Sequence, residues 1–162
     1  MVGPGGREHA MITSLLRDPH VSEVHAAPGN AGIAQDVPVH PLNAQDPEAV
    51  VALARELSAD LVDVGPEAPL EAGGADPLDA AGIPVFGPSR EAARIEGSKS
   101  FAKEIMAAAG VPTARAVATS DMMQVREALE LFGAPHVVKD DGLAAGKGVV
   151  VTQDRDRAEA HA

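Results

Sequence analysis

Short apolar runs alternate with helical spacings along the first half of the chain. In residues 7–17, Ala10, Met11, Leu15 and Leu16 recur on one side, the spacing of an amphipathic helix. A strand is predicted at 21–27 and a short one at Val37-Pro38-Val39. Asp46-Pro47-Glu48 opens a helix by three separate means. Asp caps unpaired amides, Pro occupies a first-turn position that needs no N–H, and Glu meets the positive end of the helix dipole. That helix is expected to run to Leu57. Strands at 60–65 and 83–86 bracket a helix at 75–81, which Gly82 ends. Such strand–helix alternation predicts an α/β fold with a doubly wound parallel sheet.

The pattern changes from Ser89. A short helix opens there and Gly97 breaks it. Ser98 caps a longer helix through Ala109, and Gly110 with Val111-Pro112 stops it. A strand is expected at 114–118, then a helix from Ser120 to Phe132, closed by Gly133. An apolar strand from His136 carries Lys139, a loop of Gly, Ala and Lys147 follows, and Val149-Val150-Val151 resumes a strand. The boundary falls near 87–97, giving an N-terminal α/β domain over 1–90 and an incomplete second domain over 91–162. Met1-Val2 is short for the strand that the glycines at 3, 5 and 6 should follow. Residues 154–162 begin a helix with no evident packing partner.

Composition narrows the function classes. The 162 residues include three Phe and no Tyr or Trp, so Val, Leu, Ile and Ala must fill the core. A formal net charge of −11 argues against a nucleic-acid partner, whose footprint is basic. No cysteine means no disulfide framework. No apolar stretch approaches the length of a membrane span, so no membrane partner is expected and a cytoplasmic protein is the default. Oligomeric state is not legible.

Candidate chemistry gathers at glycine-rich turns. Gly3-Pro4-Gly5-Gly6-Arg7-Glu8-His9 puts glycines where a strand enters a helix, which is either a tight turn or an anion-binding helix start. Pro28-Gly29-Asn30-Ala31-Gly32 follows a strand's carboxyl end, the ligand-binding edge of open α/β sheets, or is a plain Gly/Asn turn. Gly65-Pro66-Glu67-Ala68-Pro69-Leu70 reads as a loop stiffened by two prolines that would hold Glu67 in place. Lys99 and Lys103 lie one helical turn apart, the spacing of a solvated face. Lys139, inside an apolar strand, needs a polar target or a route to water. Asp140 and Asp141 are turn residues or metal ligands. No nucleophile–base pair is readable, and the six histidines lack metal-ligand spacing. Asp141 to Gly148 has the small residues and lysine that a lid over nucleotide phosphates requires. It is not a Walker A loop, because Gly148 follows Lys147.

Taken in order, several motifs resemble one family. They are Gly5-Gly6-Arg7-Glu8-His9-Ala10, Ala27-Pro28-Gly29-Asn30-Ala31-Gly32, Gly65 to Leu70, Gly82-Ile83-Pro84-Val85-Phe86-Gly87-Pro88-Ser89, Glu96-Gly97-Ser98-Lys99, Gly110-Val111-Pro112-Thr113-Ala114 and Asp141 to Val149. The chain resembles the phosphoribosylamine–glycine ligases, or glycinamide ribonucleotide synthetases, ATP-grasp enzymes of purine biosynthesis. The resemblance covers nearly the whole chain and implies ATP-dependent ligation of glycine to 5-phosphoribosylamine.

It implies ATP contacts from Lys99, Lys139 and a mobile lid of Asp141, Gly142, Leu143, Ala144, Ala145, Gly146, Lys147 and Gly148. It implies a phosphoribosylamine-side pocket from Gly5, Gly6, Arg7, Glu8, Pro28, Gly29, Asn30, Gly65, Pro66, Glu67, Pro69 and Leu70. No residue is assigned to catalysis. Mg2+ or Mn2+ is implied, with ligands beyond this chain. Members of the family are much longer, so the chain is expected to be an inactive N-terminal portion. The alternatives are a non-catalytic nucleotide-binding or interaction fragment, and another ATP-grasp carboxylate ligase. Pro4 stands where the family usually has Ser or Asn, and Asp140 where Ala is usual. Asp140 alternates with Lys139 and is expected to point away from it.

Overall fold

The computed structural model describes residues 1–143 and 148–162, and the chain divides into two compact units, Met1–Ala93 and Arg94–Ala162. In the first unit, β1 (Val2–Gly3) pairs in parallel with β2 (Ala27–Pro28). Further along, β3 (Val62–Asp63) pairs in parallel with β4 (Val85–Phe86). Parallel bridges join Val2 to Val64 and Ala26 to Val39. The lateral order is therefore Val39, β2, β1, β3, β4, all parallel, which is the doubly wound order. Amides continue the ladder at the bridges: Gly65 N donates to Val2 O at 3.0 Å and His40 N to Ala26 O at 2.9 Å.

Helices cover both faces. One face packs Ile12 of α1 (Gly6–Leu15) with Val24, Ala26, Val37 and Ile33, the last from a single 3₁₀ turn. The other packs Val50, Val51 and Ala54 of α2 (Pro47–Glu56) and Leu70 of α3 (Glu67–Glu71). Leu78 of α4 (Asp76–Ala80) and the valines of β1 and β3 complete it. The α2 start forms as its sequence dictates: Asp46 accepts from Ala49 N, with Pro47 in the first turn. Gly82, at φ +72°, ends the turn after α4.

The second unit holds α6 (Lys99–Ala108), α7 (Met122–Phe132), an antiparallel hairpin of β5 (His136–Lys139) and β6 (Val149–Thr152), and α8 (Arg155–His161). The helix α5 (Arg90–Gly97) spans the division in sequence, with Arg90 to Ala93 in the first unit and Arg94 to Gly97 in the second. Ser98 caps α6 by accepting from Phe101 N, and Gly133, at φ +68°, closes α7.

Several expectations need correction. The strand over 21–27 shortens to its last residues, because only 26–28 come alongside a ladder partner. No strand forms at 114–118, where no described segment lies alongside to accept a ladder. The start of that stretch is instead tied to α6, since the Lys103 ammonium donates to Thr113 Oγ1 at 2.7 Å and to the Ala114 carbonyl. Asp121, not Ser120, caps α7. Residues 67–71 form a helix rather than a loop. Val2–Gly3 suffices for a strand because β2 and Val64 flank it. Finally, α8 does find a partner: it packs on both hairpin strands and on α7, and Ala158 is fully buried.

Candidate functional site

The strand order sends the chain in opposite directions after β1 and after β3. The carboxyl ends of strands at such a switch point are where open α/β sheets bind ligands. Three glycine-bearing turns meet there. After β1, Gly5 stands at the entrance to α1. After β2, Gly29 adopts φ +66°, and a Cβ there would lie 2.7 Å from Val39 Cγ1. After β3, Gly65 and Pro66 lead into α3.

Polar side chains fasten these turns together. Asn30 Nδ2 donates to the Pro4 carbonyl at 2.7 Å, while its Oδ1 accepts from Gly32 N at 2.7 Å and Ile33 N at 3.0 Å. Arg7 of α1 pairs with Glu67 of α3 at 2.8 Å, across the switch. That hydrogen bond holds the Glu67 carboxyl below its ordinary range. His9 meets Asp36 at 2.6 Å beside the same turns.

Glu8 sits among glycines. It is buried to 3% exposure, its Oε2 accepts from Gly5 N at 2.6 Å, and its Oε1 is enclosed without a hydrogen-bond partner. A Cβ at Gly65 would fall 2.4 Å from Oε1, one at Gly5 2.4 Å from Oε2, and one at Gly3 2.7 Å from Cγ. At Gly65 the whole end of the Glu8 side chain fills the space, and at Gly3, with φ +138°, the Pro66 ring adds to the crowding; at Gly5 only the tip of the Glu8 side chain stands in the way. At Gly6, by contrast, a Cβ would meet nothing within 4 Å, so that backbone faces open space.

Gly5, Gly6, Arg7, Pro28, Gly29, Asn30, Gly65, Pro66 and Glu67 thus gather at the strand ends. Glu8, Pro69 and Leu70 are there too, with their side chains buried. The pairing of His9 with Asp36 is not legible in the sequence, because the two lie 27 residues apart with no shared motif.

In the second unit, Lys99, Asp141 and Gly142 converge. Asp141 Oδ1 accepts from Lys99 N at 2.5 Å and Ser100 N at 3.3 Å; its Oδ2 accepts from Ser100 Oγ at 2.6 Å and Ser98 Oγ at 3.1 Å. These bonds, the Ser100 hydroxyl first, hold the carboxyl down to about 2. Lys99 Nζ donates in return to the Gly142 carbonyl at 2.7 Å. Leu143 is exposed.

Lys139 closes β5 opposite Val149, and Asp140 N donates to the Gly148 carbonyl at 2.8 Å. Lys139 is exposed and so has its route to water. Asp140 Oδ1 lies 3.7 Å from His161 Nε2 of α8. Ala144, Ala145, Gly146 and Lys147, with the lid mobility expected of them, lie outside the described residues. Among the described residues no group of three or more His, Asp or Glu could hold a metal ion. No described helix is long and apolar enough to cross a membrane.

A doubly wound sheet with glycine turns at its switch point, then a capped lysine helix and a hairpin, defines a pre-ATP-grasp α/β unit followed by the opening of an ATP-grasp unit. Residues 1–96 match the N domain of phosphoribosylglycinamide synthetase and residues 97–162 its ATP-grasp (A) domain, so the chain belongs to the phosphoribosylglycinamide synthetase family.

The phosphoribosylamine–glycine ligase of Streptomyces coelicolor is 62% identical over 162 residues, covering 100% of this chain and 39% of the relative. That of Leifsonia xyli is 59% identical, again over 100% of this chain and 39% of the relative. The crystal structure of the phosphoribosylamine–glycine ligase of Thermotoga maritima superposes with a TM-score of 0.77 at 33% identity, over 98% of this chain and 37% of that one. The biotin carboxylase domain of the Hydrogenobacter thermophilus 2-oxoglutarate carboxylase, in complex with MgADP, ADP and bicarbonate, reaches a TM-score of 0.71 at 20% identity, a likeness of fold alone. The chain thus spans 39% of the length of these curated relatives.

Proposed function

We propose that this chain supplies the N-terminal portion of an ATP-dependent ligase joining glycine to 5-phosphoribosylamine, giving glycinamide ribonucleotide, ADP and phosphate. In that reaction glycine's carboxylate attacks the γ-phosphorus of ATP and ADP leaves. The amine then attacks the acyl carbon, loses a proton and expels phosphate. The strand-end turns of the first unit would shape the phosphoribosylamine side. Lys99 and Lys139 would neutralise ATP phosphates, and residues 141–148 would exclude water from the acyl phosphate. A divalent cation, Mg2+ or Mn2+, would balance phosphate charge; its ligands are expected outside the described residues. A cytoplasmic setting accords with purine synthesis from soluble metabolites.

The observation that carries this reading is the convergence of Lys99 with the start of the glycine–lysine segment, two ATP-side elements 42 and 43 residues apart in sequence. The test is a chimera of residues 1–162 with the remaining portion of the Streptomyces coelicolor relative. Phosphate release is expected only when ATP, glycine and phosphoribosylamine are all present, with a large loss in Lys139→Ala. A folded, ATP-binding chimera with no such release would overturn the proposal. The 162-residue chain alone is expected to be inactive in the same assay.

A further inference from the structure

The α6 helix begins with amides that need acceptors outside the helix. Ser98 Oγ takes Phe101 N at 3.1 Å. Lys99 N and Ser100 N remain, and both point to Asp141, more than forty residues away. The same carboxylate takes the hydroxyls of Ser98 and Ser100 on its second oxygen. It also accepts from its own neighbour, Gly142 N, at 3.1 Å. A negative charge at a helix N-terminus is further favoured by the helix dipole. Gly142 turns the chain with φ +94°, a conformation costly for other residues, and a Cβ there would lie 3.9 Å from the Gly97 carbonyl. Its own carbonyl then receives the Lys99 ammonium. The two segments are therefore linked in both directions: carboxylate to helix amide, and helix lysine to turn carbonyl.

We propose that Asp141 is a positioning residue that fastens residues 141–142 to the start of α6, so that the Lys99 ammonium is aimed by the Gly142 carbonyl. This rests on the ATP-ligase reading only for what the lysine is aimed at. An ammonium has three donors, and Gly142 uses one, which leaves two for phosphate oxygens. Without Asp141 the Lys99 side chain loses its fixed acceptor and regains its rotamer freedom. A mere helix cap would stabilise α6 without changing what the lysine does.

The test uses the full 162-residue chain with 15N-labelled lysine. In the unaltered chain the Lys99 ammonium should give a slowly exchanging NMR signal, assigned by its loss in Lys99→Arg. Asp141→Ala should abolish it. Asp154→Ala removes the cap of α8 in the same unit, where Asp154 accepts from Asp156 N and Arg157 N, and should leave the signal intact. A signal unchanged in Asp141→Ala, or lost equally in both variants, would overturn the proposal.

The second readout is ATP affinity by calorimetry. Asp141→Ala should weaken it about tenfold, with no further loss when added to Lys99→Ala, the non-additivity of residues acting through one another. Equal losses in both backgrounds would overturn the aiming role. If the unaltered chain binds no ATP, that failure belongs to the ligase reading as applied to this chain, and the ammonium signal still decides the role of Asp141.

Discussion

In Met1–Ala93 the parallel strands lie between helices, and the valines of β1 and β3 are buried. In Arg94–Ala162 the hairpin has two unlike faces. His136 and Val138, opposite Thr152 and Val150, lie on the face that α8 covers. Val137, Val149 and Val151 share the other face with Lys139 and stand in solvent. The same residue type is thus core in one unit and surface in the other. Period-two alternation fixes which hairpin residues share a face, but whether that face is covered depends on other chain segments.

Truncating one large side chain in each unit should have very different consequences. Leu78→Ala, at a fully buried site, should cost about 2–5 kcal/mol, in the range of core leucine deletions. Val151→Ala, at 64% exposure, should stay within about 0.5 kcal/mol. Urea unfolding of both variants checks this. A Val151→Ala loss as large as that of Leu78→Ala would mean that the hairpin's outer face is covered in solution.

A smaller effect separates glycines within the first unit. Gly65→Ala drives a methyl to 2.4 Å from the buried Glu8 oxygen and should cost about 1–3 kcal/mol, the usual penalty of overpacking. Gly6→Ala enters open space in the first turn of a helix and should be neutral, or stabilising by up to about 1 kcal/mol. Thermal unfolding of the pair is sufficient. If Gly6→Ala destabilises as much as Gly65→Ala, the Glu8 carboxylate is not what demands glycine there.

Much of this architecture was legible in the sequence, but not all for the same reason. The α2 start was readable because Asp46, Pro47 and Glu48 each act locally. So was the parallel alternation, which is written in short apolar runs. The missing strand at 114–118 was not readable, because a strand exists only where a partner lies alongside. The true burial of Glu8 was hidden as well: an acidic residue in a helix's first turn reads as exposed, and only the three neighbouring glycines account for the space it fills. At the candidate site, the glycine turns and Lys99 could be singled out from sequence. The Asp141 contacts with Ser98, Lys99 and Ser100 could not, since no spacing rule connects residues that far apart.

The smallest effect, and the most diagnostic, is the opposite response of one carboxylate in each unit to acid. Asp141 is held down to about 2 by the Ser100 hydroxyl above all, then by the Lys99 and Ser100 amides and the Ser98 hydroxyl, against an ordinary 3.8. Its folded state binds protons less readily than the unfolded chain, so its contribution is fully present above about 3.8 and is lost as pH falls towards 2. Asp63 has the reverse sign. Burial raises its carboxyl, with Glu8 adding to the rise and the Met1 ammonium opposing it. Its folded form prefers the proton, so its contribution is present below 3.8 and is lost as pH rises through the raised value. Ionised Asp63 therefore weighs against the first unit at neutral pH, with its Oδ1 enclosed and unpartnered. Asp63→Asn should stabilise at pH 7 and give little benefit near pH 3, whereas Asp141→Asn should destabilise at pH 7 and converge on the unaltered chain near pH 2. Amide exchange resolved by unit across that range measures both. The same sign of change in the two variants would mean that burial and donor count do not govern these carboxylates as their surroundings require.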